Sequence, residues 1–461
     1  MTSIKQPVAL PRIVKLAYGA GDLGPAIVAS ITGFFLNVFL IEVAGLRPAA
    51  AGLIFLIVKI WDGVNDPLIG TLTDKTRTRW GRRRPWLLFG AVPFALAYLL
   101  HWYVPDISLA AKFWYYLVVA ILLDTGFTAV NLPYTALTPQ IAPTYDQRTS
   151  LNSYRFAFSI LGGVLGVFLH TIIVQSATER GAIASGYLIS AAAVAAIIVV
   201  SNIITFTFVS EPDSRTTEAA PTVKLIDGLK IAFGNRPFVL VTIIYLLSWL
   251  SVQFVQNNLF LYVKYWIGAE GQFQWLILVL QGFSFLFLLM WTRLSARIGK
   301  KRVYTLGILG WLAASFLLFF VPQGGVVLLY PLAILAALGV SVSLLIPWSM
   351  LPDVVELDEL QTGQRREGIF YGFFVFFQKL GISLGLALSG FILDWTGYIR
   401  PEYSGGPSAP AQPDAVLLAL RSFVGLAPIA ILLVSLVANH YYPITRERHN
   451  EIRRQLNDFR E

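Results

Sequence analysis

Long apolar stretches recur along the chain at the length that a membrane-spanning helix requires. A bilayer core about 30 Å thick is crossed by roughly 20 apolar residues in a helix. Because lipid offers no partner to exposed backbone polar groups, such runs predict helices and not the short alternating strands of a membrane barrel. The pattern predicts twelve spans, at residues 14–44, 49–74, 86–105, 111–139, 151–175, 184–209, 238–266, 273–298, 302–322, 325–352, 367–396 and 414–441.

Basic residues concentrate in two short connections at matching places in the two halves of the chain. DKTRTRWGRRRP follows the second span and ARIGKKR follows the eighth, whereas the next connection in each half has at most one basic residue, Lys112. The positive-inside rule predicts that these loops, and with them both termini, are cytoplasmic. We therefore expect an all-α integral membrane protein with twelve transmembrane helices in two pseudo-symmetric six-helix bundles. The predicted parts are bundles at 1–210 and 238–441, a cytoplasmic linker at 211–237 and a charged tail at 442–461.

Composition supports a membrane protein. Hydrophobic residues make up 56% of the chain and charged residues only 13%, against about 25% charged in a typical soluble domain. The net charge of +9 is explained by the basic loops, so we expect a lipid bilayer and no nucleic acid as partner. The chain has no cysteine, and residues 1–12 lack the apolar core of a signal peptide. These features predict a multi-pass protein of the plasma membrane.

Charged residues inside the second span are the strongest functional signal. Each costs about 2.5 to 3.5 kcal/mol at the centre of a membrane helix, so such residues are functional by default. KIWDGVNDP places Lys59, Asp62 and Asp66 on one helix face, with Asn65 beside them. Two carboxylates and an amide oxygen are hard ligands for a small cation, which predicts a sodium or proton site with Asp62 and Asp66 as ion ligands. The alternative is that Lys59 neutralises Asp62 and that Asp66, before Pro67, caps a helix break.

Polar residues form a stripe along one face of the fourth span. Asp124, Thr128, Asn131 and Thr135 recur at spacings of four, three and four residues, which places them on one face of a helix. Oxygens of Thr128 and Asn131 are therefore candidates to complete the cation shell. The alternative is ordinary hydrogen bonding between membrane helices, for which such side chains are commonly used.

Two single cations lie deep in apolar surroundings, Arg155 in the fifth span and Lys379 in the eleventh. We expect both to face a cavity and to have acidic partners. For Arg155, the alternative is a gate near the cytoplasmic end. The YGAGDLG segment of the first span has the spacing of a dinucleotide-binding motif, but no strand precedes it. Its glycines are instead expected to permit close helix approach.

Five sequence features occur in an order typical of one transporter family. They are IWDGVNDPLIG, RTRWGRRRPW, NLPYTALTP, PWSMLPDVVELDELQTGQRREG and Lys379. With these features the chain resembles the glycoside-pentoside-hexuronide:cation symporter family over essentially all twelve spans. This is the melibiose carrier-like branch of the major facilitator superfamily. The chain is similar as well to the sodium-dependent lysophospholipid carrier, whose acidic residue in helix 4 matches Asp124.

The resemblance implies site residues that agree with the spacing argument. In the family a sodium site uses residues that match Asp62, Asn65, Asp66 and Thr128. The family's sugar-binding residues are replaced here by Ala26, Asn131 and Thr135, which argues against a galactoside. Its arginine and lysine are kept as Arg155 and Lys379. The candidate substrate-binding residues are therefore Asp124, Asn131, Thr135, Arg155 and Lys379.

The sequence thus predicts a cation-coupled symporter that moves an organic solute, a glycoside or related sugar, by alternating access. The coupling ion is sodium or a proton, no cofactor is expected, and we expect a monomer. One alternative is a sodium-dependent lysophospholipid transporter with the same fold. A membrane-embedded enzyme would need a nucleophile, base or metal constellation that the sequence does not suggest. A channel would need a filter motif, and duplicated halves suit a carrier better.

Overall fold

A computed structural model describes residues 10–142, 145–211, 225–364, 366–401 and 410–460. Within these ranges the regular structure is helical and no β-strand is formed. The chain divides into two compact units, residues 1–218 with 400–409 and residues 219–399 with 410–461. Most of the predicted linker lies outside the described residues, so the predicted domain boundaries stay predictions.

The first unit contains α1 to α7 and a π-helical segment. Its first predicted span is broken at Gly21 and Asp22, where the N–H groups of both residues bond to carbonyls only three residues earlier. Helix α3 continues through Pro67, so the predicted helix break beside Asp66 is wrong. The helices are α1 (Arg12–Ala20), α2 (Leu23–Val38), the π segment (Phe39–Val43), α3 (Pro48–Lys75), α4 (Arg84–His101), α5 (Leu109–Ile141), α6 (Tyr145–Thr178) and α7 (Ile183–Phe208).

The second unit contains the remaining helices. Two of them were not predicted, because α8 lies in the predicted linker and α16 in the charged tail. The last predicted span is divided at Gly425 into α14 and α15. The helices are α8 (Leu225–Gly234), α9 (Arg236–Leu261), a π segment (Tyr262–Ile267), α10 (Phe273–Ile298), α11 (Lys300–Phe320), α12 (Val326–Thr362), α13 (Glu367–Trp395), α14 (Asp414–Val424), α15 (Leu426–Tyr441) and α16 (Arg446–Arg460).

Eleven helical stretches in the described residues are long and apolar enough to cross a membrane. The third predicted span coincides with α4, a helix of 18 residues with Arg84 and His101 at its ends and Pro93 inside, which is not among the eleven. The prediction of an all-α integral membrane protein is confirmed. The count of twelve transmembrane helices and the cytoplasmic position of the termini stay predictions.

Glycines permit close helix contacts at several positions, as expected. A Cβ atom on Gly166 of α6 would lie 2.8 Å from Ile27 of α2. A Cβ atom on Gly381 of α13 would lie 2.7 Å from the carbonyl oxygen of Leu246 in α9. Real Cβ atoms do not approach other heavy atoms so closely, so these helix pairs depend on glycine.

The basic loop between α3 and α4 is held by Glu211, at the end of the first unit. Oε2 of Glu211 accepts hydrogen bonds from the backbone N–H groups of Arg83, at 2.8 Å, and Arg84, at 3.4 Å. A carboxylate at a helix N-terminus satisfies free N–H groups and complements the helix dipole. Burial lowers the pKa of Arg83, while Asp74 and Glu211 act in the opposite direction.

Candidate cation site

Helices α3 and α5 bring the predicted cation residues together inside the first unit. Nζ of Lys59 lies 3.2 Å from Oδ2 of Asp62, one turn further along α3. The same ammonium lies 3.6 Å from Oδ1 of Asp124 on α5. The Asp62 side chain is 6% exposed and that of Asp124 is 11% exposed, so both carboxylates are largely shielded from solvent.

Asn65 is fully buried in the same cluster, and only the nitrogen of its side-chain amide makes a hydrogen bond among the described residues. Nδ2 donates a hydrogen bond to Oδ2 of Asp124 at 3.5 Å. Oδ1 is buried and has no hydrogen-bond partner among the described residues. Buried amide oxygens are rarely left without a partner, so this oxygen calls for a ligand.

Thr128 connects the second carboxylate to α5. Its hydroxyl donates to Oδ1 of Asp66 at 3.3 Å, and the residue is 5% exposed. The indole N–H of Trp61 donates to the hydroxyl of Thr125 at 2.9 Å, which adds a further bond between α3 and α5. Asp124 and Thr128 are one turn apart on α5, and they contact the adjacent residues Asn65 and Asp66 of α3.

The donor set of this cluster suits a monovalent hard cation. It consists of carboxylate oxygens together with the neutral oxygens of Asn65 and Thr128, which are the ligand types that alkali and alkaline-earth ions take in proteins. Asp62 and Asp124 both contact the ammonium of Lys59, and Asp66 accepts a hydrogen bond from Thr128 beside them. Across the ranges described, no group of three or more His, Cys, Asp or Glu residues is arranged to hold a metal ion. A sodium ion would therefore have to use the mixed donor set.

The predicted substrate residues on α5 separate into different environments. Asp124 belongs to the cation cluster through Lys59 and Asn65. Oδ1 of Asn131 is buried and has no hydrogen-bond partner in the described part of the chain. The hydroxyl of Thr135 donates to the carbonyl of Leu132 in its own helix at 2.9 Å. Of the three, Asn131 has a buried acceptor with no hydrogen-bond partner among the described residues, while Thr135 uses its hydroxyl proton within its own helix.

Arg155 has an acidic partner that the sequence analysis did not identify. Its Nε atom lies 3.3 Å from Oδ2 of Asp22, whose side chain is 8% exposed. The guanidinium carbon lies 5.6 Å from the centre of the Tyr134 ring, which stacks on Tyr18 at 4.7 Å. The expectation of an acidic partner for Arg155 is confirmed. The available signal was an aspartate in an apolar span, which we had assigned only to a glycine pattern.

The second unit contains Lys379 and an unpredicted charged cluster. Lys379 lies within α13 and is partly buried, and its carbonyl accepts a hydrogen bond from Ser383. Elsewhere in this unit, Nζ of Lys300 lies 2.7 Å from Oδ2 of the buried Asp353. Nε2 of His449 on α16 lies 3.2 Å from Asp353 and 3.0 Å from Glu356. These contacts attach α16 to α12.

Two helical units with buried charges in membrane-spanning helices define a polytopic membrane transporter, and comparisons with known proteins identify its family. Residues 17–446 match the model of the family described as MFS/sugar transport protein. The chain belongs to that family. The predicted multi-pass membrane localisation and the prediction of a major facilitator symporter are thereby confirmed.

Individual relatives cover nearly the whole chain. An uncharacterized symporter from Synechocystis sp. is 40% identical, over 96% of this chain and 96% of its own length. Sodium-dependent lysophosphatidylcholine symporter 1-A from Danio rerio is 31% identical, over 96% of this chain and 87% of its own length. Both relatives are named as symporters.

Solved structures agree on the fold. The nucleoside transporter NupG aligns with a TM-score of 0.66 and 15% identity, over 94% of this chain and all of that chain. The D-xylose-proton symporter aligns with a TM-score of 0.66 and 17% identity, over 94% of this chain and 97% of that chain. At these identities the likeness concerns the fold alone.

Proposed function

We propose that the protein is a sodium-coupled symporter that binds its ion between α3 and α5. The ion ligands are oxygens of Asp62, Asn65, Asp66 and Thr128. The observation that carries this proposal is the buried Oδ1 of Asn65, which has no hydrogen-bond partner in the described residues and lies in one cluster with the shielded carboxylates of Asp62 and Asp124. A dehydrated cation satisfies that oxygen, and the sodium dependence in the names of six relatives favours sodium over a proton.

Lys59 has a defined role in this proposal. Its ammonium contacts Asp62 and Asp124, so it holds two carboxylates of the cluster before the ion binds. Sodium then adds positive charge next to the same carboxylates and changes how strongly Lys59 is held. Because binding free energies are reciprocal, a solute that favours the ion-bound arrangement raises sodium affinity by the same factor as sodium raises solute affinity.

The substrate that we propose is a lysophospholipid. Six of the relatives are named sodium-dependent lysophosphatidylcholine symporters and cover 96 to 97% of this chain. The sugar-site residues of the melibiose carrier-like branch are replaced, and the hydroxyl of Thr135 is used by its own helix. Arg155 or, alternatively, Lys379 is the candidate partner of the phosphate, since guanidinium and ammonium groups bind phosphate well.

A glycoside is the second candidate, because the matching family model is described as sugar transport. Asn131 supports it by offering a buried amide oxygen of the kind that bonds sugar hydroxyls. For either substrate we propose a monomeric carrier of the plasma membrane without enzymatic activity.

Uptake into proteoliposomes tests both the coupling ion and the substrate. Labelled lysophosphatidylcholine and labelled glycosides are offered with and without an inward sodium gradient at fixed pH. We expect sodium to stimulate uptake of lysophosphatidylcholine in the wild type and not in Asp62→Asn. Asp106→Asn, at an exposed aspartate outside the cluster, serves as the matched control and should behave as the wild type.

Each result has a definite meaning. Sodium-stimulated glycoside uptake would replace the lipid by the second candidate and keep the ion site. Stimulation by a pH gradient alone would assign proton coupling. Unchanged sodium stimulation in folded Asp62→Asn would contradict the ion site between α3 and α5.

A further inference from the structure

An apolar groove runs along α4, between α3 and α5, on the outer surface of the first unit. Its volume is about 740 Å³, and only two of its lining side chains carry a hydroxyl, Thr76 and Thr125. Lining side chains are strongly exposed, with Phe89 at 61%, Leu96 at 53% and Leu122 at 52%. In a protein that crosses a membrane, such an exposed apolar surface faces lipid.

The length of the groove fits an acyl chain. Trp86, Phe89, Pro93, Leu96 and Leu100 line it at spacings of three and four residues along α4. From Trp86 to Leu100 the helix rises about 21 Å at 1.5 Å per residue. Half of a bilayer core is roughly 15 Å thick. The groove is therefore long enough to hold one acyl chain of one leaflet along its whole length.

Small residues at the base of the groove allow α4 and α5 to pack closely and leave the groove open. A Cβ atom on Gly126 of α5 would lie 2.9 Å from Cα of Phe94, and one on Gly90 of α4 would lie 3.1 Å from Cγ2 of Val130. These contacts bring α4 and α5 close together behind the groove. Ala129 adds a small side chain to the lining, so the space remains open.

One end of the groove meets a positively charged loop. Thr76 lines this end and accepts a hydrogen bond from the indole N–H of Trp86 at 3.0 Å. Lys75, Arg77 and Arg79 beside it are exposed. Arg77 donates to the carbonyls of Asp74 and Thr76, which involves only one terminal nitrogen of its guanidinium, and Arg79 lies 4.4 Å from the ring centre of Trp80. Their remaining N–H groups are able to bind an anion.

We propose that this groove binds an anionic phospholipid, with one acyl chain along α4 and the phosphate at Lys75, Arg77 and Arg79. The apolar lining selects a hydrocarbon chain, and the basic end selects a negatively charged headgroup. A single amphipathic molecule, with a hydrocarbon chain and an anionic headgroup, meets both requirements. The proposal does not depend on the transported substrate or on the coupling ion.

Native mass spectrometry of the full chain in detergent tests the headgroup part of the proposal. The probes are dioleoyl phosphatidylglycerol and dioleoyl phosphatidylcholine, which share their acyl chains. We expect the wild type to retain phosphatidylglycerol at least fivefold better. The double variant Arg77→Gln with Arg79→Gln should lose this preference. Arg302→Gln, at an exposed arginine of the other basic loop, should keep it.

A second pair of variants tests the groove itself. Ala129→Leu fills the groove and should reduce retention of both lipids about equally, since both use the same acyl chain. Ala192→Leu, at an exposed alanine of α7 that lines neither this groove nor the neighbouring one, should retain lipid as the wild type does. The proposal is overturned if the wild type shows no headgroup preference. It is likewise overturned if the arginine double variant or Ala129→Leu retains phosphatidylglycerol as well as the wild type.

Discussion

Lys59 and Asp62 face each other across one turn of α3, with 3.2 Å between Nζ and Oδ2, and the same ammonium reaches Asp124 on α5. The helix that provides the proposed ion ligands therefore also provides a positive charge beside them. From sequence alone, such a pair is an alternative to ion binding. In the structure the pair lies in the same cluster as the buried amide oxygen of Asn65, so a Lys59–Asp62 pair is compatible with the proposed ion site.

Replacing Lys59 by methionine should make the protein's stability depend strongly on sodium. The change leaves Asp62 and Asp124 without their ammonium partner, and removing one member of a buried pair costs about 3 kcal/mol. Sodium supplies the missing positive charge and stabilises the folded state by mass action. Thermal unfolding in sodium chloride and in choline chloride measures the effect. Lys112→Met, which loses a hydrogen bond to the carbonyl of Ala44, should show no added sodium dependence.

Asn65→Ala should weaken sodium binding while changing the stability of the sodium-free protein little. The lost oxygen leaves no hydrogen-bond partner unpaired among the described residues, and the amide nitrogen makes one long bond of 3.5 Å. We expect sodium affinity to fall about tenfold, which corresponds to about 1.4 kcal/mol. Isothermal titration calorimetry with sodium chloride measures it. An unchanged affinity would remove Asn65 from the ligand set.

Asp22 and Arg155 should show strong energetic coupling. Each is shielded from solvent, so Asp22→Leu or Arg155→Leu leaves an uncompensated charge and should destabilise the protein by about 3 kcal/mol. The double variant leaves no such charge and should recover about 2 kcal/mol of the combined loss. Thermal unfolding of the four proteins provides the cycle. Additive losses would show that the 3.3 Å contact does not act as a pair.

Lys300→Met should weaken the packing of α11 against α12, and the charged cluster on which α16 rests, more than a comparable change at the surface. Asp353 is buried and loses its 2.7 Å partner, although Lys300 itself is partly exposed. We expect a loss of about 2 kcal/mol, below the full cost of a buried pair. Limited proteolysis of the C-terminal helix and thermal unfolding measure it. Arg448→Met breaks an exposed pair with Glu451 and should change neither.

The residues of one helix face could be predicted from sequence, but their partners on other helices could not. The spacing of Lys59, Asp62 and Asp66 placed them together on α3, as the structure has them. The contact of Asn65 with Asp124 depends on how α3 packs against α5, which spacing within one helix does not encode. Arg155 was expected to have an acidic partner, yet Asp22 was assigned to a glycine pattern because the break between α1 and α2 left no periodic signal.

The polar segments were the least predictable part of the fold. Helices α8 and α16 lack the long apolar runs on which the analysis of spans relied. In α16 a weaker signal was present, since Ile452 and Leu456 are four residues apart and both are buried. His449 lies three residues before Ile452, and its contacts with Asp353 and Glu356 depend on the packing of α16 against α12.

The charge of the cation cluster determines how the carrier responds to voltage across the membrane. In the proposed sodium symporter, the cluster is more positive with sodium bound than without it, by one unit. Each elementary charge that crosses the full potential is worth about 2.3 kcal/mol per 100 mV. A potential that is negative inside therefore favours inward movement of the loaded form relative to the ion-free form. Uptake of a substrate without net charge would then be driven by the electrical gradient as well as by the sodium concentration gradient.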